Sequence, residues 1–216
     1  MDDETDCNST SPRPMVINYS GGANGTNLVG TDTRSRKVDS KVWTYKQVYV
    51  IAAGNSGPNA GTINSPGVAK NALTIGNVRD FGYGTVGDIW TSSSRGPTGD
   101  GRMKPNVVAP GRWVTSARAG TTNQYRTMSG TSMATPHVTG LIATLMDHYS
   151  WLQWNPAQVR ALLMATSILH DDDTTPTVNT YGLGRVSAYA AHWSRSNANG
   201  WNGYLTSSNV TDSHYI

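Results

Sequence analysis

Ser132 lies in the run Met128–Gly140, Met-Ser-Gly-Thr-Ser-Met-Ala-Thr-Pro-His-Val-Thr-Gly, two residues after Gly130 and four before Pro136. A serine hydroxyl becomes a nucleophile when a neighbouring group removes its proton. From Met133 to Tyr149 apolar residues recur at helical spacing (Val138, Leu141, Ile142, Leu145, Met146), which predicts a long helix. Pro136 is read as part of its first turn, where a missing N–H loses nothing. Ser132 would then stand at a helix N-terminus, where unpaired backbone N–H groups and the positive end of the helix dipole stabilise a developing oxyanion. The chemistry these residues suit is nucleophilic acyl transfer. The same residue types would also serve a Ser/Thr-rich loop that caps a buried helix.

Two other stretches could position such chemistry. Val48–Ala53 is β-branched and apolar on both faces, as in a buried parallel strand, and runs into Gly54-Asn55-Ser56-Gly57. Asn55 is either a turn former or a neutral amide donor. Met15-Val-Ile-Asn-Tyr19 predicts a buried strand that ends in the glycine-rich turn Ser20-Gly21-Gly22. Such a turn lets a second backbone approach closely.

Taken together, these residues resemble a known family. Gly130–Gly140 is similar, over eleven residues without a gap, to the nucleophile signature of the subtilisin-like serine proteases. Ala52-Ala-Gly-Asn-Ser-Gly57 is a second match; Ser92–Pro97 and Lys104–Gly111 match the stretch before the nucleophile. The resemblance implies an α/β fold of three layers, a mostly parallel sheet with helices on both faces. It implies Ser132 as nucleophile and Asn55 as a side-chain donor to the oxyanion. Loss of that donor costs about 10²–10³ in turnover, a magnitude established for subtilisin itself. It further implies a peptide cleft with Ser20, Gly21 and Gly22 along one wall, and Ala53, Gly54 and Thr131 completing the substrate-binding set. Two departures are visible. Gly21 replaces a leucine common in the family, and Asn106 replaces an aspartate common after Lys-Pro, which would weaken any cation site using that carboxylate. Calcium is possible by resemblance, but no metal site or other cofactor is identified.

The family's base and its orienting carboxylate lie upstream of a strand like Met15–Tyr19, in His-Gly-Thr-His and Asp-Thr/Ser-Gly contexts. Neither pattern occurs here, and the five histidines are His137, His148, His170, His192 and His214. The expectation is therefore a subtilisin-like domain whose N-terminal portion is missing. His137 is expected to pack within the helix and point away from Ser132; His170, His192 and His214 are expected on loops or the tail. Three readings follow: a serine endopeptidase domain acting on peptide substrates, a weak hydrolase of activated or short esters, and an inactive peptide-binding remnant. Uncovered sheet edges and helix faces would favour a homodimer.

The chain divides into a polar lead-in (1–14), the catalytic-type domain (15–191) and a polar, aromatic tail or start of a truncated β module (192–216). Asp32 or Thr33 is expected to cap a helix to Tyr45, Pro156 to open another, and Tyr181–Val186 to form the closing turn. Asp171–Asp173 read as a solvated loop rather than a cation site. With 216 residues the chain can bury a core. Only 14% of residues are charged, which argues against disorder. A net charge of +3, with no basic cluster longer than Arg34–Lys37, gives nucleic-acid binding little support. The single cysteine, Cys7, excludes an internal disulfide and a Cys/His metal site. No apolar run is long enough to span a membrane. The acidic start does not read as a signal peptide, although parents of this family are usually extracellular.

Overall fold

The computed structural model describes residues 13–79, 87–168 and 177–196. β2 (Val48–Ala52) is buried along its whole length. Side chains alternate across a strand, so Val48 and Val50 enter one apolar cluster while Tyr49 and Ile51 enter another. With β1 (Val16–Tyr19), β3 (Leu73–Val78) and β4 (Val107–Pro110) it forms a four-stranded sheet in the order β1-β2-β3-β4. Every pairing is parallel, with Val16 opposite Val48, Val50 opposite Leu73, and Ile75 opposite Val107.

Helices cover both faces, giving three layers. On one face α1 (Thr33–Tyr45) packs Val38 and Val42 against Ile17, Tyr49 and Ile51. Asp32 caps it, accepting from the N–H groups of Arg34 and Ser35 at 3.1 Å each. On the other face β2, β3 and β4 meet α2 (Thr131–His148) through Ala134, Val138, Ile142, Leu145 and Met146. α3 (Pro156–Ala165), opened by Asn155 and Pro156, adds Val159 and Leu163. α4 (Val178–Tyr181) leads into the turn that lines β4, where Val108 N–H donates to Gly184 and Val186 N–H to Val108. α5 (Ala188–Ser196) contributes Ala191 to the α2 side. An antiparallel hairpin, β5 (Val114–Ala117) and β6 (Tyr125–Met128), leads directly into the segment before α2.

Four sequence expectations are corrected. β1 is an edge strand, not a buried one: only Ile17 is buried and Asn18 is exposed, because no strand pairs beyond it among the described residues. α2 starts at Thr131, two residues earlier than its apolar spacing suggests, so Pro136 falls in the second turn. His137 is exposed, its Nδ1 2.9 Å from the Met133 carbonyl oxygen, because the apolar face of α2 is turned by Val138 and Ile142 instead. His192 lies on α5, not on a tail, with Nδ1 2.9 Å from Tyr149 Oη. His170, His214, Cys7, Asp171–Asp173, most of the Phe81–Ile89 loop and residues 197–216 lie outside the described residues.

Asn106 is part of a buried network under β3. Its Oδ1 accepts from Thr74 N–H at 2.8 Å and from Lys104 Nζ at 3.0 Å. Lys104 is 2% exposed and also donates to Ala72 O and Thr74 Oγ1, both at 2.8 Å. Three neutral acceptors match the three N–H bonds of an ammonium, but no carboxylate is bonded to it. Burial, reinforced by the charges of Arg160 and Arg102, holds the Lys104 pKa well below 10.5, with Asp39 opposing. The folded chain therefore binds this proton less readily than the unfolded chain, so stability rises with pH up to about 10.5 and falls as pH drops through the window below it. The urea midpoint of the chain is expected to climb from neutral pH towards pH 10. The climb should shrink in Lys104→Met, which removes the group, and in Asn106→Asp, which supplies a counter-charge. An unchanged slope in both variants would refute the assignment.

Candidate active site

The site forms where the start of α2 meets the ends of β1 and β2. Gly130 precedes α2 with φ 153°, a backbone conformation that favours glycine, and it offers no side-chain cap. The free N–H groups of the first turn must therefore find partners elsewhere. Thr131 N–H donates to Asn55 Oδ1 at 3.0 Å, and Thr131 Oγ1 lies 3.2 Å from the same oxygen. Gly54 N–H in turn donates to Thr131 Oγ1 at 3.3 Å. Thr131 is fully buried, so its reach is to Asn55 and Gly54 rather than to the surface. Gly54 itself has φ 106° and sits against Ser94 Oγ, which accepts from Ser56 N–H at 3.0 Å.

With Oδ1 held by Thr131, the Asn55 amide N–H groups carry no hydrogen bond among the described residues, and Asn55 is exposed. The backbone N–H of Ser132 is likewise unpaired among them. Two unpaired donors beside a half-buried serine at a helix N-terminus is an arrangement suited to holding an oxyanion.

Ser132 and Ser20 are linked twice. Ser132 Oγ donates to Ser20 O at 2.9 Å, and Ser20 Oγ donates to Ser132 O at 3.0 Å. The second bond has a cause in the sequence. Pro136 has no N–H, so the Ser132 carbonyl lacks its partner four residues on, and the Ser20 hydroxyl takes that place. Asn18 Nδ2 donates to Ser20 Oγ at 2.9 Å, and Thr139 Oγ1 donates to Asn18 Oδ1 at 3.1 Å, extending the link across β1 and α2.

The two expected walls differ in kind. Ala53 and Gly54 are buried with backbone groups already bonded: Ala53 to Ile75 and Asn64, Gly54 to Ser94 and Thr131. They offer surface rather than hydrogen bonds. Gly21 and Gly22 have no backbone partner among the described residues, whereas the next residue, Ala23, pairs with Ser65 on its other side. Ser65 Oγ also donates to Asp32 Oδ1 at 2.6 Å, tying this wall to the start of α1. Burial raises the Asp32 pKa, but hydrogen bonds from Ser65 and Ser35 outweigh it and hold the carboxyl below its usual value.

The described histidines stay away from Ser132: His137 on the outer face of α2, His148 at its far end, and His192 beside Tyr149. Among the described residues no group of three His, Cys, Asp or Glu could hold a metal ion. The Asn106 oxygen is already bonded to Thr74 N–H and Lys104 Nζ.

The subtilase family model matches residues 8–202. The chain belongs to the subtilase family. It is 39% identical over 172 residues to pyrolysin of Pyrococcus furiosus, covering 68% of this chain and 12% of that protein. It is 37% identical over 163 residues to the serine protease AprX of Bacillus subtilis, covering 68% of this chain and 36% of that one. The patellamide maturation protease PatA has a similar fold, with a TM-score of 0.70 at 26% identity over 86% of this chain and 64% of PatA's. This subtilase chain therefore spans about a tenth to a third of the length of those two sequence relatives. No helix among its described residues is long and apolar enough to cross a membrane.

Sequence reading singles out Ser132, Asn55 and the Ser20–Gly22 strand end as candidates, which the fold brings together, but it does not foresee the bonds made by the Ser20 hydroxyl or by the Thr131 N–H. Pro136 four residues after Ser132 is the signal for the first; nothing local signals the second. The Pro136 explanation predicts a coupled pair. Ser20→Ala should destabilise the parent chain by about 1 kcal/mol, and much less in a Pro136→Ala background, where the helix satisfies Ser132 O itself. A double-mutant cycle by urea denaturation measures this, and additive effects would rule the explanation out.

Proposed function

We propose that this chain is the nucleophile-bearing part of a serine endopeptidase that hydrolyses peptide bonds. Ser132 Oγ attacks the scissile carbonyl carbon, and the Ser132 N–H with the Asn55 amide receives the negative charge that develops on its oxygen. Ser20–Gly22 pairs with the backbone of an extended peptide, and Ala53–Gly54 forms the facing wall. The observation that carries this reading is the Thr131–Asn55 clamp, which leaves donors unpaired next to Ser132.

Attack requires the Ser132 hydroxyl proton to leave. Its present partner, the Ser20 carbonyl, is too weak a base to take it. Peptide cleavage therefore needs a histidine-type base that no described residue places at Ser132. That observation favours a second reading for the chain on its own, weak hydrolysis of activated esters. Their leaving groups need less acid assistance, and oxyanion donors alone retain modest catalysis.

Labelling with a serine-directed fluorophosphonate tests the nucleophile. The parent chain is expected to take up one label at Ser132, and Ser132→Ala none. Absence of label in both would leave an inactive peptide-binding remnant. Turnover of p-nitrophenyl acetate that disappears in Ser132→Ala, without cleavage of an unlabelled peptide, would select the ester reading.

We also propose that the chain self-associates through the edge of β1 that no strand pairs among the described residues and the exposed side of α2, where a Cβ on Gly140 would meet nothing within 4 Å. Sedimentation equilibrium should show a dimer, and a monomer at every accessible concentration would overturn this.

A further inference from the structure

α2 ends at His148, and the next residue, Tyr149, leaves the helix with extended backbone angles while its N–H still donates to Leu145 O at 2.8 Å. Tyr149 packs against the apolar cluster on the α2 side of the sheet, to which α5 contributes Ala191. His192 follows Ala191 on α5, so it comes to lie beside both Tyr149 and His148. Its ring centre is 5.3 Å from that of His148 and 5.7 Å from that of Tyr149. Both imidazoles are exposed. Among the described residues neither nitrogen of His148 carries a hydrogen bond; its ring meets Tyr149 edge-on, with centres 4.5 Å apart. Tyr149 Oη lies 2.9 Å from His192 Nδ1 and donates to the His192 carbonyl oxygen at 3.3 Å. A phenol has one proton. With that proton on the carbonyl, Nδ1 is the protonated ring nitrogen and donates to Oη, and Nε2 keeps its lone pair.

Two imidazoles so placed suit a metal ion. With zinc–nitrogen bonds of about 2.1 Å and a tetrahedral angle between them, two ring centres stand roughly 5 Å apart, and this pair stands at 5.3 Å. A ligating histidine ordinarily donates its other ring N–H to a fixed acceptor, which is the part Tyr149 Oη plays for His192. The C-terminal end of α2 is the negative end of its dipole, which favours a cation at His148. We propose that His148 and His192 together bind a zinc-class divalent cation, each through one imidazole nitrogen, with Tyr149 as the outer partner that orients His192. Two imidazoles are fewer ligands than an enclosed site supplies, so water completes the coordination and the ion stays exchangeable. Bound there, the ion ties α5 to the end of α2, the helix whose other end carries Ser132.

Isothermal titration of the untagged chain with zinc chloride is expected to show one site. His148→Gln and His192→Gln should each weaken it by about tenfold or more, since each removes a ligand. Tyr149→Phe should weaken it by about tenfold, the usual effect of deleting an outer partner of a ligating histidine. Magnesium and calcium, which prefer oxygen ligands, should give no heat at the same concentration. His148 makes no hydrogen bond among the described residues. Its variant therefore leaves the Tyr149–His192 contact intact, and it carries the test should circular dichroism show that His192→Gln loosens the fold. No zinc binding by the parent chain, or binding of undiminished strength in His148→Gln, overturns the proposal. So does a zinc site that is lost instead in His137→Gln, His170→Gln or His214→Gln.

Discussion

The start of α2 cannot satisfy its own backbone, and the site is built from the groups that do so instead. Gly130 gives no side-chain cap, so the N–H of Thr131 goes to Asn55 at the end of β2. Pro136 removes one N–H from the second turn, so the carbonyl of Ser132 goes to Ser20 at the end of β1. Two strand ends are thereby fastened to one helix start. The donors left over, on Ser132 and Asn55, are those that acyl chemistry would use. A helix with a good cap and no proline would have needed neither strand.

The rest of the sheet keeps this junction in place. α2 lies across all four strands, with its apolar residues packed on the faces of β2, β3 and β4. β4 is locked from its outer side by the Tyr181–Val186 turn. Below β3, Lys104 binds Ala72, Thr74 and Asn106 in place of the carboxylate that a buried ammonium ordinarily requires. This arrangement joins the segment before β4 to β3 through neutral acceptors, at the expense of a lysine held below its usual pKa by burial. The asparagine that looked like a weakened cation ligand is an acceptor for the buried lysine two residues before it.

Openness on one side is the counterpart of this tight packing. Among the described residues β1 has an unpaired outer edge, the hairpin of β5 and β6 is largely exposed, and α2 turns Pro136, His137 and Gly140 to solvent. Ser132 itself is half-buried, and its hydroxyl donates to a carbonyl rather than to a base. Among the described residues the Ser132 hydroxyl therefore has a carbonyl, and no histidine, as its partner.

Much was legible from local pattern. The β-branched run Val48–Ala52 can only be a strand buried on both faces, and the spacing of Val138, Ile142, Leu145 and Met146 fixes which side of α2 is inside. Asp32 and Asn155 announce the starts of their helices because capping is a contact within a few residues. The motif around Ser132 and Asn55 carries the family. What local pattern misses is set by distant partners. That Met15–Tyr19 forms an edge depends on which strands pair beyond it. The Ser20 hydroxyl finds its acceptor 112 residues away, and Thr131 meets Asn55 across 76. Sequence by itself therefore determined most of the elements and the family, and singled out Ser132 as the candidate nucleophile, since those rest on periodicity and contiguous motif. Tertiary structure decided which backbone groups remain unpaired and what they face, because a hydrogen bond between distant segments leaves no trace in the spacing of either one.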